Sequence, residues 1–403
     1  MPGPLTGVKV IDLTSMISGP LATMTLADQG ANVIKVEAPS GDHTRQVSGG
    51  RGGFSASFLN NNRNKRSIVI DLKNPKGLAT LLELCTGADI VIQNFRPGVA
   101  KRIGIGEDEI RQINPSVIYV SISGFGFKGP YAHRPVFDPL VQALSGLTTI
   151  QAGSDEQRPR LVRTILPDKL TAIQAAQAMT AALFSRTQTG EGQHIQLSML
   201  DTIISFLWSS DMGGHTFIGE EMESEKAQSF IDLVYHTSDG YVSIAIQQNK
   251  DWRGFARAVD RIDLVEDDRF SSPQSREKNK DIRMEIIQDC VANFNSADVL
   301  QRLEKEYVPC APVLTRRDMR DNEQVRANEI ILETQHPVAG NLRQTRHPAL
   351  FSKTPPEINC GAPQRGEHSI EVLSEAGFNA ESIRELEKSG AVFQYRQSKE
   401  QPS

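Results

Sequence analysis

The sequence has few cysteines, and their spacing suggests neither a zinc site nor a disulfide framework. Its 403 residues include four cysteines, with no pair separated by two residues as in common zinc motifs. Reduced thiols in a cytosolic compartment are therefore expected. The eight histidines are scattered and form no HxH or HExxH pair. We predict no metal site.

Long apolar runs and an excess of basic residues are also missing. No apolar run approaches the ~20 residues that a membrane-spanning helix needs. The first ten residues, MPGPLTGVKV, lack the features of a signal peptide. The formal net charge of −5 argues against nucleic acid, because nucleic-acid-binding proteins usually carry a basic surplus. We expect a cytoplasmic protein with no membrane or nucleic-acid partner.

What the sequence does contain is an alternation of strand and helix patterns in its first third. Strands rich in valine and isoleucine, separated by helical stretches, are typical of βαβ units and a parallel sheet covered on both faces. A helix with apolar residues at three- and four-residue spacing is predicted over 168–186, before a strand that turns into a helix over 192–201. The predicted early strands are 8–13, 32–37, 67–72, 89–95 and 116–123, with helices at 19–30 and 75–88.

The composition changes after about residue 218. Residues 219–229, GEEMESEKAQS, are acidic and polar and are interpreted as a linker. A hairpin follows, with Ser238-Asp239-Gly240 as its turn, and then charged helices to about residue 306. The stretch VPCAPVL at 308–314 is taken as the end of this block. After one more helix in the tail from 365, the last eight residues are predicted to be disordered.

Two patterns could hold a nucleotide. Residues 124–129, GFGFKG, match the dinucleotide spacing GxGxxG, but Pro130 follows instead of a clean amphipathic helix. A glycine loop near a site is therefore favoured over NAD or FAD binding. Basic residues at the edges of two strands could hold phosphates, although solvated surface is the more common explanation for either cluster. These residues are Arg63, Lys65, Arg66, Arg96, Lys101 and Arg102.

Asp168 poses the main question of the sequence, because it follows Pro167 at the predicted start of a helix. Aspartate is a favoured helix N-cap, and from these residues alone capping is the more frequent explanation. A helix N-terminus also stabilises an ionised carboxylate, which could attack an acyl thioester. Composition and spacing leave both roles open.

Seven stretches, in one order along nearly the whole chain, together resemble the class III CoA-transferase family, which includes the related α-methylacyl-CoA racemases. They are residues 4–45, NRNKRSIVIDLKNPKG at 62–77, NFRPG at 94–98, GFGFKGPY at 124–131, the Asp168 segment, RTQTGEGQHIQLSMLD at 186–201 and VPCAPV at 308–313. The resemblance implies an α/β fold: a Rossmann-like large domain plus a small α+β domain, in an interlocked dimer of ring-shaped subunits. The implied boundaries are 1–205 with 335–403 for the large domain, 228–325 for the small domain, and linkers at 206–227 and 326–334.

The resemblance further implies that Asp168 is the nucleophile of a CoA transfer from an acyl-CoA to a carboxylic acid. The reaction would need no metal and no cofactor beyond the CoA thioester substrate. Ala38 stands where a family member has arginine, and Ile17 where glutamine serves oxalate-type acids, so the acceptor stays open. The candidate acceptor ligands are His43, Arg45, Arg51 and Arg163. The positions that match CoA contacts of the family are Ile17, Ser18, Leu72, Lys73, Asn94, Phe95, Arg102, Phe137 and Asp138.

The racemase branch is the alternative function. It moves a proton at the α-carbon with a histidine paired to the matching aspartate, and two-base proton transfer needs a second titratable group in reach. The histidine position falls on Phe137 here, and His133 is four residues away. We therefore expect a transferase, and keep the racemase open because Asp138 could serve as the second group.

Overall fold

The computed structural model describes residues 3–47, 49–219 and 232–395. The chain forms two compact units, Met1–Gln228 with Glu329–Ser403 and Ser229–Asn328. The residues that carry the predicted site all belong to the first unit, which is built on a seven-stranded sheet. Among the described residues, no helix combines the length and apolar character needed to cross a membrane.

The strands and helices of the described residues are as follows. The strands are β1 Lys9–Asp12, β2 Asn32–Glu37, β3 Gly50–Arg51, β4 Phe54–Ser55, β5 Lys65–Ile70, β6 Ile90–Gln93, β7 Ile118–Ser123, β8 His194–Ser198, β9 Val234–His236, β10 Tyr241–Ile244, β11 Cys310–Pro312, β12 Ile331–His336, β13 Gly340–Thr345 and β14 Val392–Phe393. The helices are α1 Ser18–Asp28, α2 Ala56–Asn62, α3 Pro75–Thr86, α4 Val99–Arg102, α5 Glu107–Ile113, α6 Asp138–Leu144, α7 Leu147–Ala152, α8 Leu166–Thr189, α9 Met199–Trp208, α10 Asn249–Ala258, α11 Pro273–Lys278, α12 Lys280–Val291, α13 Ser296–Lys305, α14 Arg316–Asp321, α15 Glu323–Ala327, α16 Ser369–Glu375 and α17 Ala380–Lys388.

The large sheet has the order β14-β5-β2-β1-β6-β7-β8. All its strands run parallel except β14, which pairs antiparallel with β5. Taken in chain order, the six parallel strands follow the 3-2-1-4-5-6 arrangement of Rossmann folds. The order reverses between β1 and β6, and in such sheets ligands bind outside the carboxyl ends of the strands at this point.

Both faces of the sheet are covered, which explains its continuous apolar strands. Along β1, Val10 and Ile11 are both fully buried and belong to different cores. Val10 lies in a core formed with α1 and α8, whereas Ile11 lies in a core formed with α3, α5, α16 and α17. Each side chain of this size contributes about 1.5–3 kcal/mol when fully buried. The expectation of a parallel α/β sheet covered on both faces is confirmed.

The second unit, Ser229–Asn328, contains both helices and a small antiparallel sheet. The predicted hairpin is present as β9 and β10, and β11 pairs antiparallel with β10 on the other side. Its apolar core includes Tyr235, Trp252 and Phe270, each at most 2% exposed. The stretch 308–314 was expected to end this block, but it instead supplies a strand, because Cys310–Pro312 complete the sheet.

Several boundaries differ from the sequence expectations. Residues 206–208, placed in a linker, are the last turn of α9, and residues 331–334 begin β12, which pairs with β13. The tail also contains α17 and β14, which were not predicted because its sequence is polar. Most of the acidic stretch 219–229 and the predicted disordered end, 396–403, lie outside the described residues.

Candidate active site

Asp168 lies in the first turn of α8. The helix begins two residues earlier than its apolar pattern predicts, because Pro167 fits the first turn, where no backbone N–H is needed. Ile165 is the N-cap and makes no side-chain cap hydrogen bond. Of the two roles that the sequence left open, capping is not the one observed, because Asp168 is the third residue of the helix and Ile165 is its N-cap.

The Asp168 carboxylate faces a second carboxylate and the start of α1. The backbone N–H of Asp168 donates to Asp138 Oδ2 at 3.1 Å, and Asp138 is 3% exposed. Burial and the charge of Asp138 raise the pKa of Asp168 to about 6, while hydrogen bonds from the side chain and backbone of Ser18 oppose this rise. Burial also raises the pKa of Asp138. The environment therefore disfavours the charged form of both carboxyl groups. Carboxyl groups with raised pKa values are common at catalytic sites.

The turn between β1 and α1 brings Ser18 to Asp168. Met16 adopts a φ of 71°, which is uncommon for a residue other than glycine and places Ile17 and Ser18 at the start of α1. Gly19 is required here, because a Cβ at this position would lie 2.3 Å from the Thr14 Cβ. Asn94, after β6, holds the turn by accepting from the Ser15 N–H at 3.0 Å and donating to its carbonyl at 2.8 Å.

A cleft of about 630 Å³ lies at the carboxyl ends of the strands next to this turn. Ser15 lines the cleft, and Ser18, which follows the turn as the first residue of α1, lies close enough to Asp168 to lower its pKa, so the turn connects the two places. Leu72, Lys73 and Phe95, predicted on resemblance to contact CoA, line this cleft. The cleft also lies at the end of the sheet where the reversal of strand order predicts a bound ligand.

The remaining site predictions fall in four places. Ser18 and Asp138 lie at Asp168, whereas Ile17 is the N-cap of α1 and Asn94 hydrogen-bonds to Ser15 in the turn before it. Phe137 precedes α6 and is 66% exposed. Arg102, the last residue of α4, is exposed and is not among the residues that line the cleft.

The hypothesis that the basic residues at the start of β5 bind phosphate is wrong. Arg63 is buried and paired with Asp28 at 2.6 Å, and Lys65 is fully buried and paired with Asp12 at 3.0 Å. Arg66 is bound to Glu371 and Glu375. Each of these cations compensates an acidic side chain of the protein, so none is free to bind a polyphosphate. The sequence could not show this, because the partners are distant along the chain.

A buried ionic network beneath the cleft was not anticipated from the sequence. Asp12, at the end of β1, accepts hydrogen bonds from Thr14, Thr23 and Lys65. Lys35, at the cleft, pairs with Asp42 at 2.8 Å. Burial lowers the pKa of Lys65 to about 8, even though Asp12 opposes this. A lysine or aspartate inside an otherwise apolar strand is the signal that could have indicated such pairs.

Other candidates differ in their availability. Arg45 is held by Glu37 at 2.6 Å, and Arg51 donates to the Asn341 carbonyl, so both have structural partners. His43 is exposed and lines the cleft, and Arg163 is exposed just before α8. Arg96 and Lys101 are exposed on the segment after β6, with Lys101 3.5 Å from Asp108.

The glycine loop after β7 is a tight turn. Gly126 and Gly129 have φ of 100° and 84°, conformations that side chains rarely adopt. A Cβ on Gly124 would lie 2.2 Å from the Val136 side chain. Within the described parts of the chain, no group of three or more His, Cys, Asp or Glu side chains could hold a metal ion.

Because its environment disfavours the ionised form of Asp168, we can predict how this residue affects stability. Because its folded pKa of about 6 exceeds the ordinary value of 3.8, stability falls as pH rises from about 4 to 6. We expect Asp168→Asn to stabilise the fold at pH 7 by about 1–3 kcal/mol and by less at pH 4. Denaturant unfolding at both pH values measures this. Asp201→Asn is the matched control, because Asp201 has the same position in α9 but is exposed. An equal gain in the free energy of unfolding for both variants would contradict the claim that the environment of Asp168 disfavours its charge.

Comparisons with known proteins agree over nearly the full length. The sequence profile of CoA-transferase family III matches residues 5–369. The succinate–glutarate CoA-transferase of Agrobacterium fabrum is 33% identical over 383 residues, which cover 92% of this chain and 95% of that protein. The human succinyl-CoA:glutarate CoA-transferase is 30% identical, with 97% and 90% covered. The crystal structure of a CAIB/BAIF family protein from Brucella suis is 28% identical, covers 93% and 100%, and has a TM-score of 0.81.

Proposed function

The chain belongs to CoA-transferase family III, and we propose that it transfers CoA from an acyl-CoA donor to a carboxylic acid, with Asp168 as the nucleophile. The observation that carries the proposal is the Asp168 carboxylate, held in the first turn of α8 next to Asp138 and Ser18 and with a raised pKa. Its raised pKa of about 6 leaves it mostly ionised at neutral pH yet more basic than an ordinary carboxylate.

The proposed cycle consists of four acyl transfers. Asp168 attacks the donor thioester carbonyl, which forms a mixed anhydride and releases CoA thiolate. The thiolate attacks the aspartyl carbonyl of the anhydride, which releases the donor acid and leaves an aspartyl-CoA thioester. The acceptor carboxylate attacks this thioester to form a second anhydride and free the thiolate. The thiolate then attacks the acceptor carbonyl, so that the new acyl-CoA leaves and Asp168 is regenerated.

We propose that CoA lies in the cleft at the carboxyl ends of the strands. We propose that Leu72 and Phe95 contact the apolar parts of CoA, while Lys73, exposed at the rim, contacts a phosphate. Arg96, Lys101 and Arg102, on the next segment, are further phosphate ligands in this proposal. The pantetheine arm would then pass the turn at Ser15 and end at Asp168. Exclusion of water from that end protects the anhydride from hydrolysis.

We propose a dicarboxylic acid as the acceptor. The Agrobacterium fabrum and human relatives are named for succinate and glutarate, and a Streptomyces coelicolor relative is named for oxalate. A dicarboxylate has a second charge to be held away from Asp168, and the exposed Arg163 and His43 are the hydrogen-bond donors that we propose for it.

A homodimer is also part of the proposal. Large apolar side chains are exposed on α8 and α9, among them Ile173 at 64%, Phe184 at 65% and Phe206 at 50%. A surface of this kind is rare on a soluble monomer and suits a second copy of the chain. Sedimentation equilibrium at micromolar concentration would give twice the chain mass, and a monomer mass would refute the dimer.

The transferase is favoured over the racemase. The relatives reported above are named as transferases. At the histidine position of racemases the chain has Phe137, whose exposed ring cannot move a proton, and Asp138 is occupied by structural hydrogen bonds.

The proposal is tested by CoA exchange. The protein is incubated with succinyl-CoA and, one at a time, glutarate, oxalate, acetate and benzoate, and new acyl-CoA is measured by mass spectrometry. We expect exchange with at least one dicarboxylate and faster exchange than with the monocarboxylates. Deuterium incorporation at the α-carbon of a 2-methylacyl-CoA without any exchange would instead indicate the racemase.

A further inference from the structure

Gln142 is a buried side chain near the site for which the proposed cycle gives no role. It lies on α6, is 2% exposed, and donates from Nε2 to Asp138 Oδ1 at 2.7 Å. Its Oε1 accepts the N–H of Val162 at 3.0 Å, and Nε2 also lies 3.2 Å from the Thr164 carbonyl. One amide therefore fixes the segment that leads into α8 and a carboxylate that contacts Asp168.

Asp138 connects Gln142 to the nucleophile. Its Oδ1 accepts from Gln142, and its Oδ2 accepts from the backbone N–H of Asp168 at 3.1 Å. The two contacts hold the Asp138 carboxylate in one orientation, beside the first turn of α8. Because both donors bind the ionised form better than the neutral form, they favour the charge on Asp138.

We infer that Gln142 is a positioning residue, which fixes both the place of the Asp168 carboxylate and the negative charge beside it. This inference rests on the proposed function of Asp168 as nucleophile. A charged Asp138 makes Asp168 more basic, and the restrained segment at 162–164 keeps its helix turn in place. Gln142 reaches the reacting atoms only through Asp138 and the backbone.

The other charged groups near Asp138 are few. Helices α7, α8 and α9 pack against α6. Helix α7 carries no charged residue, the start of α8 carries Asp168 and Lys169, and the start of α9 carries Asp201, which is exposed. Lys169 lowers the pKa of Asp138, as the donors do, whereas burial raises it by more. Loss of the Gln142 donor should therefore raise it further, until Asp138 takes the proton before Asp168 does.

The pH profile of kcat/KM tests this role. In the unaltered protein we expect an acid limb near pH 6, where Asp168 becomes protonated. In Gln142→Met the proton goes to Asp138 instead, so the limb should move to lower pH by about one unit. The plateau should fall about tenfold through misplacement, mainly in kcat. Gln142→Asn, which is too short to reach Asp138 and Val162 together, should shift the limb in the same direction.

Gln344→Met is the matched control. Gln344 is 5% exposed and also donates to a backbone carbonyl, that of Leu59, but it lies on the β12–β13 hairpin. We expect the acid limb of the kcat/KM profile to stay near pH 6 in Gln344→Met. A limb that stays near pH 6 in the Gln142 variants would overturn the positioning role, even if their activity falls.

A second readout needs no turnover and separates this inference from the proposed function. If Asp138 instead of Asp168 holds the proton in Gln142→Met, adding Asp168→Asn should raise the melting temperature at pH 6 less than Asp168→Asn alone does. An equal rise in both backgrounds would overturn the inference. Undiminished exchange in Asp168→Ala would refute the nucleophile and leave this thermal comparison intact.

Discussion

Replacing Asp168 by alanine is expected to lower CoA exchange by about four orders of magnitude or more, because no other group in the cycle can form the anhydride. The fold should survive, since the carboxylate is in an environment that disfavours its charge. The measurement is the rate of new acyl-CoA formation at saturating donor and acceptor, together with the melting temperature.

Asp201→Ala is the control for this loss. Asp201 occupies the same third position of its helix, after the cap Ser198, but it is exposed. Its removal should leave the exchange rate within a factor of a few. If both variants lost activity equally, the loss would reflect a general need for an acidic residue at a helix start, and not nucleophilic attack by Asp168.

Replacing Lys65 by methionine is expected to destabilise the fold by about 3–5 kcal/mol, the usual cost of leaving a buried charge without its partner. Lys65 and Asp12 are both completely buried and lie 3.0 Å apart. Thr14 and Thr23 would still bind the Asp12 carboxylate, but no cation would contact it. Denaturant unfolding measures the loss, and Asp12→Asn in the same chain should restore part of it.

The contribution of this pair should depend on pH in a defined direction. Burial raises the pKa of Asp12, but Lys65, Lys35 and the threonine hydroxyls lower it to about 2, below the ordinary 3.8. The stabilisation is therefore complete from about pH 4 up to the pH range below the Lys65 pKa of about 8, and it is lost as the pH falls through about 2. Near pH 2 the difference between Lys65→Met and the unaltered protein should become small.

Arg66→Met is the matched control on the same strand. Arg66 binds two glutamates that are more than half exposed, so its loss should cost about 0–1 kcal/mol. If Lys65 were instead a phosphate ligand, Lys65→Met would weaken CoA binding and leave stability unchanged. That outcome would contradict the internal role that the structure assigns to Lys65.

The sheet was predictable because its signal is local. The strands of the large sheet up to residue 123 are rich in valine and isoleucine, and burial on both faces requires this pattern. The edge strand β14 was not predictable, because two residues, Val392 and Phe393, form a strand only through pairing with β5. The same holds for β11, whose proline-containing sequence gains its strand from β10.

The site was predictable where motif and chain position coincide. The resemblance pointed to Asp168, Ser18 and Asp138, and the structure places these three together. Gln142 was missed, because a lone glutamine in a short helix gives no signal until its partners at 162–164 are known. The basic residues were wrongly interpreted as phosphate ligands for a related reason. Their ion-pair partners are far away in the sequence, as the pair of Lys65 and Asp12 shows.

Trapping of the covalent intermediate tests the central claim most directly. The protein is incubated with succinyl-CoA, treated with hydroxylamine at neutral pH, digested and analysed by mass spectrometry. Hydroxylamine converts an activated aspartyl carbonyl, in an anhydride or a thioester, into a hydroxamate. We predict this modification on Asp168, only after exposure to acyl-CoA. A protein that exchanges CoA but carries no hydroxamate there, or carries it on another residue, would contradict the account.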